Sequence, residues 1–229
     1  MELLFDLHVH TNFSDGFLSP QGVVSVARKK GLSGLAITDH NTIAGAVRAK
    51  RFVENNKIKD FTVIVGAEIS TQKGHITGLF LQDEIRSRDF HTVVEEIKRQ
   101  EGLVVAAHPL RIPLLNRFRK KPTMKLSRDD LRLVDFIEVW NCRSKRKANV
   151  IANELAQQHQ KPALIGSDAH FPSELGRARV IVRTSDVTDE ALRSVLLQRK
   201  YNVSLHAKSS LPWYYLSAIL KRCGYKQTY

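Results

Sequence analysis

The chain has 229 residues, of which 42% are apolar and 26% charged, and this composition fits one soluble domain. It excludes a disordered, collagen-like or coiled-coil protein. The longest apolar runs are strand-sized, so no membrane span is predicted. The acidic N-terminus lacks the basic patch that begins a secretory signal, and we therefore expect a cytoplasmic protein.

The excess of basic residues gives a formal net charge of +13. This charge favours a polyanionic partner, although a generally basic surface would also explain it. Two segments, 117–121 and 143–147, are especially basic. The two cysteines, Cys142 and Cys223, lie far apart in the sequence, so neither a disulfide framework nor a cysteine-rich zinc site is predicted.

Seven short apolar runs predict strands, at 3–9, 35–38, 62–67, 103–107, 136–140, 163–166 and 180–183. Helical spacing predicts helices at about 20–30, 42–55, 89–100 and 147–159. A further apolar stretch at 76–81 follows no helix, so we expect a hairpin return or an extra strand there. The alternation of strands and helices predicts an α/β fold with buried parallel strands.

A single domain over residues 1–229 is expected, because no Gly-, Pro- or Ser-rich linker and no internal repeat divides the chain. The aromatic and aliphatic segment at 211–222 predicts a C-terminal helix packed on the outside of this domain. A membrane-surface helix is the weaker alternative for this segment. Nothing in the sequence indicates an obligate protein partner.

Histidines and acids recur where the predicted strands end. These residues are His8, His10, Asp39, His40, Glu68, His108, Glu138, Asp168 and His170. The carboxyl ends of the strands of a parallel barrel share one face, so these side chains are expected to meet. Clustered carboxylates repel each other unless cations separate them. A mixed set of imidazoles and carboxylates suits two or three divalent ions, of zinc, manganese or iron, with magnesium as a further option.

Eight short motifs carry a resemblance to a known family. They are DLHVHT at 6–11, SDG at 14–16, TDHNT at 38–42, GAE at 66–68, HITG at 75–78, AHP at 107–109, IEVWN at 137–141 and GSDAH at 166–170. In this order they are similar to the PHP (polymerase and histidinol phosphatase) superfamily. The resemblance covers residues 3 to about 183, and residues 174–229 are expected to be the C-terminal segment associated with this domain.

The resemblance implies a distorted (β/α)7 TIM-like barrel with a trinuclear metal centre that hydrolyses phosphate esters by metal-activated water. It also implies three groups of ligands. The first is His8, His10, Glu68 and Asp168, the second is Glu68, His108 and a fifth-strand residue, and the third is Asp15, His40 and His170. Glu138 is the expected fifth-strand ligand, and Asn141 and Cys142 are the alternatives.

Further residues are expected to act on the substrate or on the ligands. His75 matches a family histidine near the substrate, where it contacts phosphate or protonates the leaving group. Asp39 adjoins His40 and is expected to orient a ligand. Arg143 and Arg177 are candidates for a phosphate clamp, and Arg111 is a third.

The expected substrate is a nucleotide or a short RNA or DNA, because the two basic segments exceed what a single small phosphate monoester requires. A small-molecule phosphatase of the histidinol-phosphate type is the alternative. An alternative of another class is a non-catalytic RNA-binding subunit of a ribonucleoprotein, which would have no need of the clustered histidines and acids.

Overall fold

The computed structural model describes residues 1–110, 126–184 and 186–205. Three predictions, for Arg111, for the basic segment 117–121 and for the helix at 211–222, lie outside the described residues. In chain order the elements are β1 (Glu2–Val9), α1 (Pro20–Lys29), β2 (Gly34–Ile37), α2 (Ala44–Asn55), β3 (Thr62–Thr71), β4 (Gly74–Leu79), α3 (Phe90–Arg99), β5 (Leu103–Ala106), α4 (Arg128–Leu133), β6 (Phe136–Asn141), α5 (Arg146–Gln158), β7 (Ala163–Gly166), β8 (Ala178–Arg183), α6 (Asp189–Leu197) and β9 (Tyr201–Leu205).

Local sequence explains where the first helices begin. The Ser19 side chain accepts a hydrogen bond from the Gly22 amide and Pro20 opens α1, as predicted. Helix α2 begins later than expected, at Ala44. Asn41 is in the left-handed region, with φ of 59°, and the amide of Ile43 donates to the Glu84 carboxylate. The chain therefore turns before the helix starts.

The described strands form one sheet in the order β7-β6-β5-β4-β3-β2-β1-β8-β9. Strands β1, β2 and β3 are parallel, as are β5, β6 and β7. Val9, the last residue of β1, forms a parallel bridge with Ala169, which lies beyond the end of β7, and the His10 amide donates to the Ala169 carbonyl over 2.9 Å. This contact nearly closes the sheet into the expected barrel, and the carboxyl ends of the parallel strands surround its mouth.

The extra strand predicted at 76–81 is β4, which pairs antiparallel with both β3 and β5. The last predicted strand was expected to be parallel, and that prediction is wrong, because β8 pairs antiparallel with β1. The chain reaches β8 from β7 through a loop at 167–177 and not through a crossover helix, and such a connection suits antiparallel pairing. Strand β9, which was not predicted, pairs antiparallel with β8.

The barrel interior is a packed apolar core. A cavity of about 10 Å³ remains inside it, with Leu7, Val105 and Leu164 among its lining residues. On the outside, α1 and α3 bury Val23 and Val93. Because the interior is filled, ligands have access only to the mouth of the barrel. Among the helices of the described residues, none has the length and apolar character that a membrane crossing requires.

Candidate metal centre

Donor atoms from six strands or the loops after them converge at the barrel mouth. Within the described residues, four overlapping sets have donor atoms that all lie within 4.8 Å of one another. The sets are His10 with Asp15, His40 and His170; His8 with Glu68 and His108; His8 with His10 and Asp168; and His40 with Glu68 and His75. They bring together every predicted ligand except Glu138, and they add His75.

The most buried donors are His8, His10, Glu68 and Asp168, which we call the inner group. His10 Nε2 lies 3.4 Å from Glu68 Oε2 and 3.3 Å from Asp168 Oδ1. His8 Nε2 lies 3.4 Å from the same Glu68 oxygen. Strand β1 directs both imidazoles inward because side chains two residues apart share a face of a strand.

Several inner-group atoms lack a hydrogen-bond partner among the described residues. These atoms are His8 Nε2, His10 Nε2 and Glu68 Oε2, and all three are buried. Buried polar atoms are nearly always paired, because an unsatisfied one loses the hydrogen bonds that it makes in water. Imidazole nitrogens and a carboxylate oxygen that face a common point are suitable donors for a divalent transition-metal ion. The inner group therefore fits such an ion.

Electrostatics keeps the inner carboxylates ionised. Burial favours their neutral forms, but neighbouring imidazoles outweigh burial and hold the pKa values of Glu68 and Asp168 well below the usual range. Burial also favours a neutral His8, yet Glu138, Glu68 and Asp168 together raise the pKa of His8 well above its usual value. The carboxylates are thus ready ligands, whereas His8 releases a proton when it binds a cation.

Asp15, His40 and His170 form a second cluster nearer to solvent, which we call the outer group. Asp15 Oδ2 lies 3.1 Å from His170 Nε2 and 3.7 Å from His40 Nε2. The side chain of Asp15 is 55% exposed and that of His40 is 30% exposed. Burial raises the pKa of Asp15, but His170, His10 and His40 more than offset this and the net pKa is lowered. Burial lowers the pKa of His40.

Glu68 lies beside five of the histidines. Its Oε2 atom faces His8, His10 and also His40, whose Nδ1 is 3.2 Å away. Its other oxygen, Oε1, lies 2.6 Å from His108 Nε2 and 2.8 Å from His75 Nδ1. One carboxylate thus presents its two oxygens to two different sets of imidazoles, which is the geometry of a bridging ligand.

The expected fifth-strand ligand, Glu138, lies behind the donors. Its Oε1 is 2.9 Å from His8 Nδ1, and its Oε2 accepts hydrogen bonds from the His108 amide and from Asn141 Nδ2. It belongs to none of the four donor sets found in the described residues. Of the alternatives, Asn141 uses its amide to bridge carboxylates, and burial raises the pKa of the Cys142 thiol to about 12, so this thiol is protonated.

Asp39 was expected to orient a ligand. The hydrogen bonds of its carboxylate to residues on the loop after β1 hold that loop in place. Its Oδ1 accepts from the Thr11 amide and the Ser14 hydroxyl, each over 2.7 Å. Its Oδ2 accepts from the Thr11 hydroxyl over 2.6 Å. The loop fixed in this way carries Asp15, so Asp39 positions the outer group through the backbone that precedes Asp15.

Arg143 and Arg177, the two arginines predicted to clamp phosphate, contact residues of the loop that follows His170. Arg143 Nη1 lies 3.6 Å from Glu174 Oε2, and Arg177 Nε donates to the Ser173 carbonyl over 3.2 Å. Glu174 in turn accepts from the His170 amide over 2.8 Å. Both arginines therefore adjoin the outer group through the loop at 171–174.

Two candidate ligands have backbones in the left-handed region, with φ of 26° at His108 and 54° at Asp168. Non-glycine residues rarely adopt this conformation, and strained backbone is concentrated at functional sites.

Gly166 also shapes the centre. A Cβ atom there would collide with the Cβ of His8 and would lie 2.5 Å from Glu138 Oε1. The close approach of His8 and Glu138 to this strand therefore requires a residue without a side chain at position 166.

The sequence interpretation assigned no role to Asp6 and Glu174. Asp6 is buried, and burial raises its pKa to about 6. Its carboxylate accepts from the amides of Ser167 and Gly176 and so ties β1 to the loop after β7. The signal for Asp6 was its spacing of two and four residues from His8 and His10, which places all three on one face of β1. For Glu174 no sequence pattern was available.

Comparison with known proteins supports the resemblance. The sequence model of the PHP domain family matches residues 6–222. Protein MJ1587 of Methanocaldococcus jannaschii is 39% identical over 116 residues, which are 45% of this chain and 66% of that protein. The 5′-3′ exoribonuclease Rnm of Salmonella typhimurium is 34% identical over 109 residues, which are 45% of this chain and 37% of the exoribonuclease.

A solved structure shares the fold. It is a two-domain protein from Bacteroides vulgatus containing a predicted PHP-like metal-dependent phosphoesterase, with a TM-score of 0.70 at 20% identity. The match covers 90% of this chain and 65% of that one. The chain thus spans two thirds or less of each of these proteins. With a family match over nearly its whole length and the family motifs gathered at one barrel mouth, this chain belongs to the PHP domain family.

Proposed function

We propose that the protein hydrolyses phosphate esters with two to three divalent metal ions, and that its substrates are nucleotides or short oligonucleotides. The observation that carries this proposal is the convergence of the buried Nε2 atoms of His8 and His10 on Glu68 Oε2, since all three lack a hydrogen-bond partner among the described residues. A site that only bound RNA would gain nothing from burying such atoms, which destabilise the fold unless cations satisfy them.

In this proposal the inner group holds one ion. Glu68 and His108 would hold a second ion, and the outer group would hold a third. Divalent ions in such a site supply Lewis acidity and lower the pKa of water. The separate donor sets agree with more than one ion, because no residue belongs to all four of the sets found in the described residues. Manganese, zinc and iron all suit imidazole with carboxylate.

His75 is the proposed proton donor to the leaving group. Its Nδ1 is held 2.8 Å from Glu68 Oε1, which fixes the ring, and its side chain is 35% exposed at the barrel mouth. The carboxylate fixes which nitrogen carries the proton, and Nε2 is left to exchange a proton with a bound substrate. Arg143 and Arg177 remain proposed phosphate contacts at the edge of the outer group.

A polyanionic substrate is supported by the charges around the mouth. Lys145, Arg146 and Lys147 are exposed at the start of α5, directly after the carboxyl end of β6. A groove of about 600 Å³ runs beside α2 and is lined by the exposed Arg48 and Arg51. The Salmonella typhimurium relative is a 5′-3′ exoribonuclease, and we propose nucleic-acid substrates for this chain as well.

The activity is tested by phosphate release from nucleoside monophosphates, nucleoside bisphosphates, short RNAs and histidinol phosphate, each with Mn²⁺ and each with EDTA. We expect release that requires Mn²⁺ and is fastest with nucleotides or RNA ends. Preference for histidinol phosphate would contradict the substrate class. Absence of release from every ester at saturating Mn²⁺ would contradict the proposed activity itself.

The basic segment is tested by replacing Lys145, Arg146 and Lys147 together with glutamine. Hydrolysis of a short RNA should become weaker and less dependent on salt, because fewer counterions are released on binding. Hydrolysis of p-nitrophenyl phosphate should change little. A matched control replaces Lys98 and Arg99, which are exposed at the carboxyl end of α3, at the opposite end of the barrel from the mouth. Equal losses on both esters would contradict a polyanion-binding role.

A further inference from the structure

The exposed phenylalanine side chains of the described residues all lie on the two loops that bear Asp15 and His170 of the outer group. They are Phe13, Phe17 and Phe171, and the other exposed large apolar residues are Met1, Val187 and Leu197. Phe17 is 70% exposed and Phe171 is 50% exposed. Single exposed apolar residues are common and need no explanation, but aromatic rings gathered at the rim of a ligand site indicate a binding role.

Phe17 and Phe171 form a pair. Their ring centroids are 6.2 Å apart and the ring planes are tilted by 31°. This spacing lies within the usual range for interacting aromatic rings, and yet both rings keep most or half of their surface exposed. The two rings therefore support each other without being buried, and they present an apolar aromatic surface to solvent.

The backbone connects this pair directly to the outer group. The Phe17 amide donates to the His170 carbonyl over 2.7 Å, and Phe171 is the residue after His170. Glu174 accepts hydrogen bonds from the amides of His170 and Phe171, over 2.8 and 3.1 Å. One carboxylate thus fixes a candidate ligand and the neighbouring aromatic residue together. The rings are set in place before any substrate arrives, which lowers the entropy lost on binding.

We infer that Phe17 and Phe171 form a stacking platform for a nucleobase of the substrate, next to the phosphate-binding centre. This inference rests on the proposed function, since it places the phosphate of a nucleotide at the metal centre. Nucleobases stack on aromatic side chains whatever their sequence, so the platform selects nucleotides over other phosphate esters without choosing among bases. Phe171 follows His170 in the chain and the Phe17 amide donates to the His170 carbonyl, so the platform lies beside the outer group.

The test compares two probes that differ only in the base, the non-hydrolysable methylenephosphonate analogues of adenosine 5′-monophosphate and of ribose 5-phosphate. Their dissociation constants are measured by calorimetry with Mn²⁺ for the unmodified protein and for Phe17→Leu, Phe171→Leu and the double variant. Leucine keeps an apolar side chain and removes the aromatic face. Leu197→Ala is the control, because Leu197 is an exposed apolar residue at the carboxyl end of α6 and belongs neither to the pair nor to the groove beside α2.

The unmodified protein should bind the adenosine compound roughly ten-fold or more tightly than the ribose compound. The double variant should lose this preference, each single variant should lose part of it, and Leu197→Ala should keep it. Equal binding of the two probes by the unmodified protein, a preference that survives the double substitution, or no binding of the adenosine compound would each overturn the inference. Failure of phosphate release with the base preference intact would instead contradict the proposed function and leave the platform standing.

Discussion

The inner and outer groups use the same residue types in different surroundings. The inner group is buried, and its imidazoles and carboxylates are packed between β1, β3 and β7. The outer group depends on Asp15, which is 55% exposed and lies on a loop held by Asp39. Donors on rigid strands in a dry site bind an ion more strongly than donors on a solvated loop, since less order must be created on binding. We therefore expect a tight inner ion and a more exchangeable outer one.

The largest effect should come from the inner group. His10→Ala removes a nitrogen that faces both Glu68 and Asp168, so the bound ion loses a ligand that no neighbour replaces. Phosphoesterase activity should fall by more than about 100-fold, the upper range for residues that only support a ligand. The increase in unfolding temperature on adding Mn²⁺ should shrink as well, because this increase reports metal binding to the folded state.

The matched control for His10→Ala is His91→Ala. His91 is exposed on α3 and belongs to none of the donor sets found in the described residues. It should retain full activity and the full Mn²⁺-induced stabilisation. An active His10→Ala variant would remove the basis for the inner group.

The next effect should come from Glu138→Gln. The amide cannot provide the charge that holds His8 Nδ1 at 2.9 Å, so His8 is less firmly oriented and less basic. Support of this kind for a ligand is worth roughly 10–100-fold in metal affinity or activity. The apparent affinity for Mn²⁺, from activity titrations, should fall within this range. Glu95→Gln, on the exposed face of α3, is the control. Complete loss that excess Mn²⁺ does not restore would instead indicate that Glu138 is itself a ligand.

A smaller effect is expected from Asp15→Asn in the outer group. Apparent Mn²⁺ affinity should fall by about 10-fold, and excess Mn²⁺ should restore most of the activity, because the inner group is unchanged. The control is Asp60→Asn, an exposed aspartate paired with Arg28 over 2.8 Å. If Asp15→Asn is as damaging as His10→Ala and cannot be rescued, the two groups do not differ as described here.

The smallest effect concerns pH. Without metal, the raised pKa of His8 means that pairing with its carboxylates stabilises the fold below the usual histidine pKa, and that this contribution is lost as pH rises through the raised value. A cation must displace the same proton, so metal binding tightens as pH rises. The unfolding temperature with Mn²⁺ minus that with EDTA should therefore be a few degrees larger at pH 8 than at pH 6. A difference that shrinks with rising pH would contradict the protonated state assigned to His8.

Much of the fold could be predicted from the sequence, because periodicity and capping are local. Ser19-Pro20 and Asp89 begin helices where predicted, and the strand at 163–166 has the predicted bounds. Strand direction is not local. The apolar run that forms β8 resembles in sequence the runs that form the parallel strands. The direction of β8 depends on the loop that joins it to β7, and this loop makes β8 antiparallel to β1.

The residue types of the candidate site could be predicted from the sequence. Which of these residues face the centre and which support them from behind could be predicted less well. Spacing on β1 and the positions at strand ends located His8, His10 and Asp168. They could not distinguish a donor from its support, because Glu138 occupies a strand position of the same kind as Glu68. What separates the two is which oxygen meets which nitrogen across the barrel, and this depends on the register between β6, β7 and β1. Glu174 was not predicted because it acts through backbone amides of a loop.

The most direct test of the central claim is the metal content of the purified protein after dialysis against limiting Mn²⁺, measured by elemental analysis beside the Asp15→Asn and His10→Ala variants. The account predicts at least two ions per chain, of which Asp15→Asn loses only the more exchangeable one and His10→Ala loses the tightly held one. A protein that takes up no divalent metal under any of these conditions would contradict it.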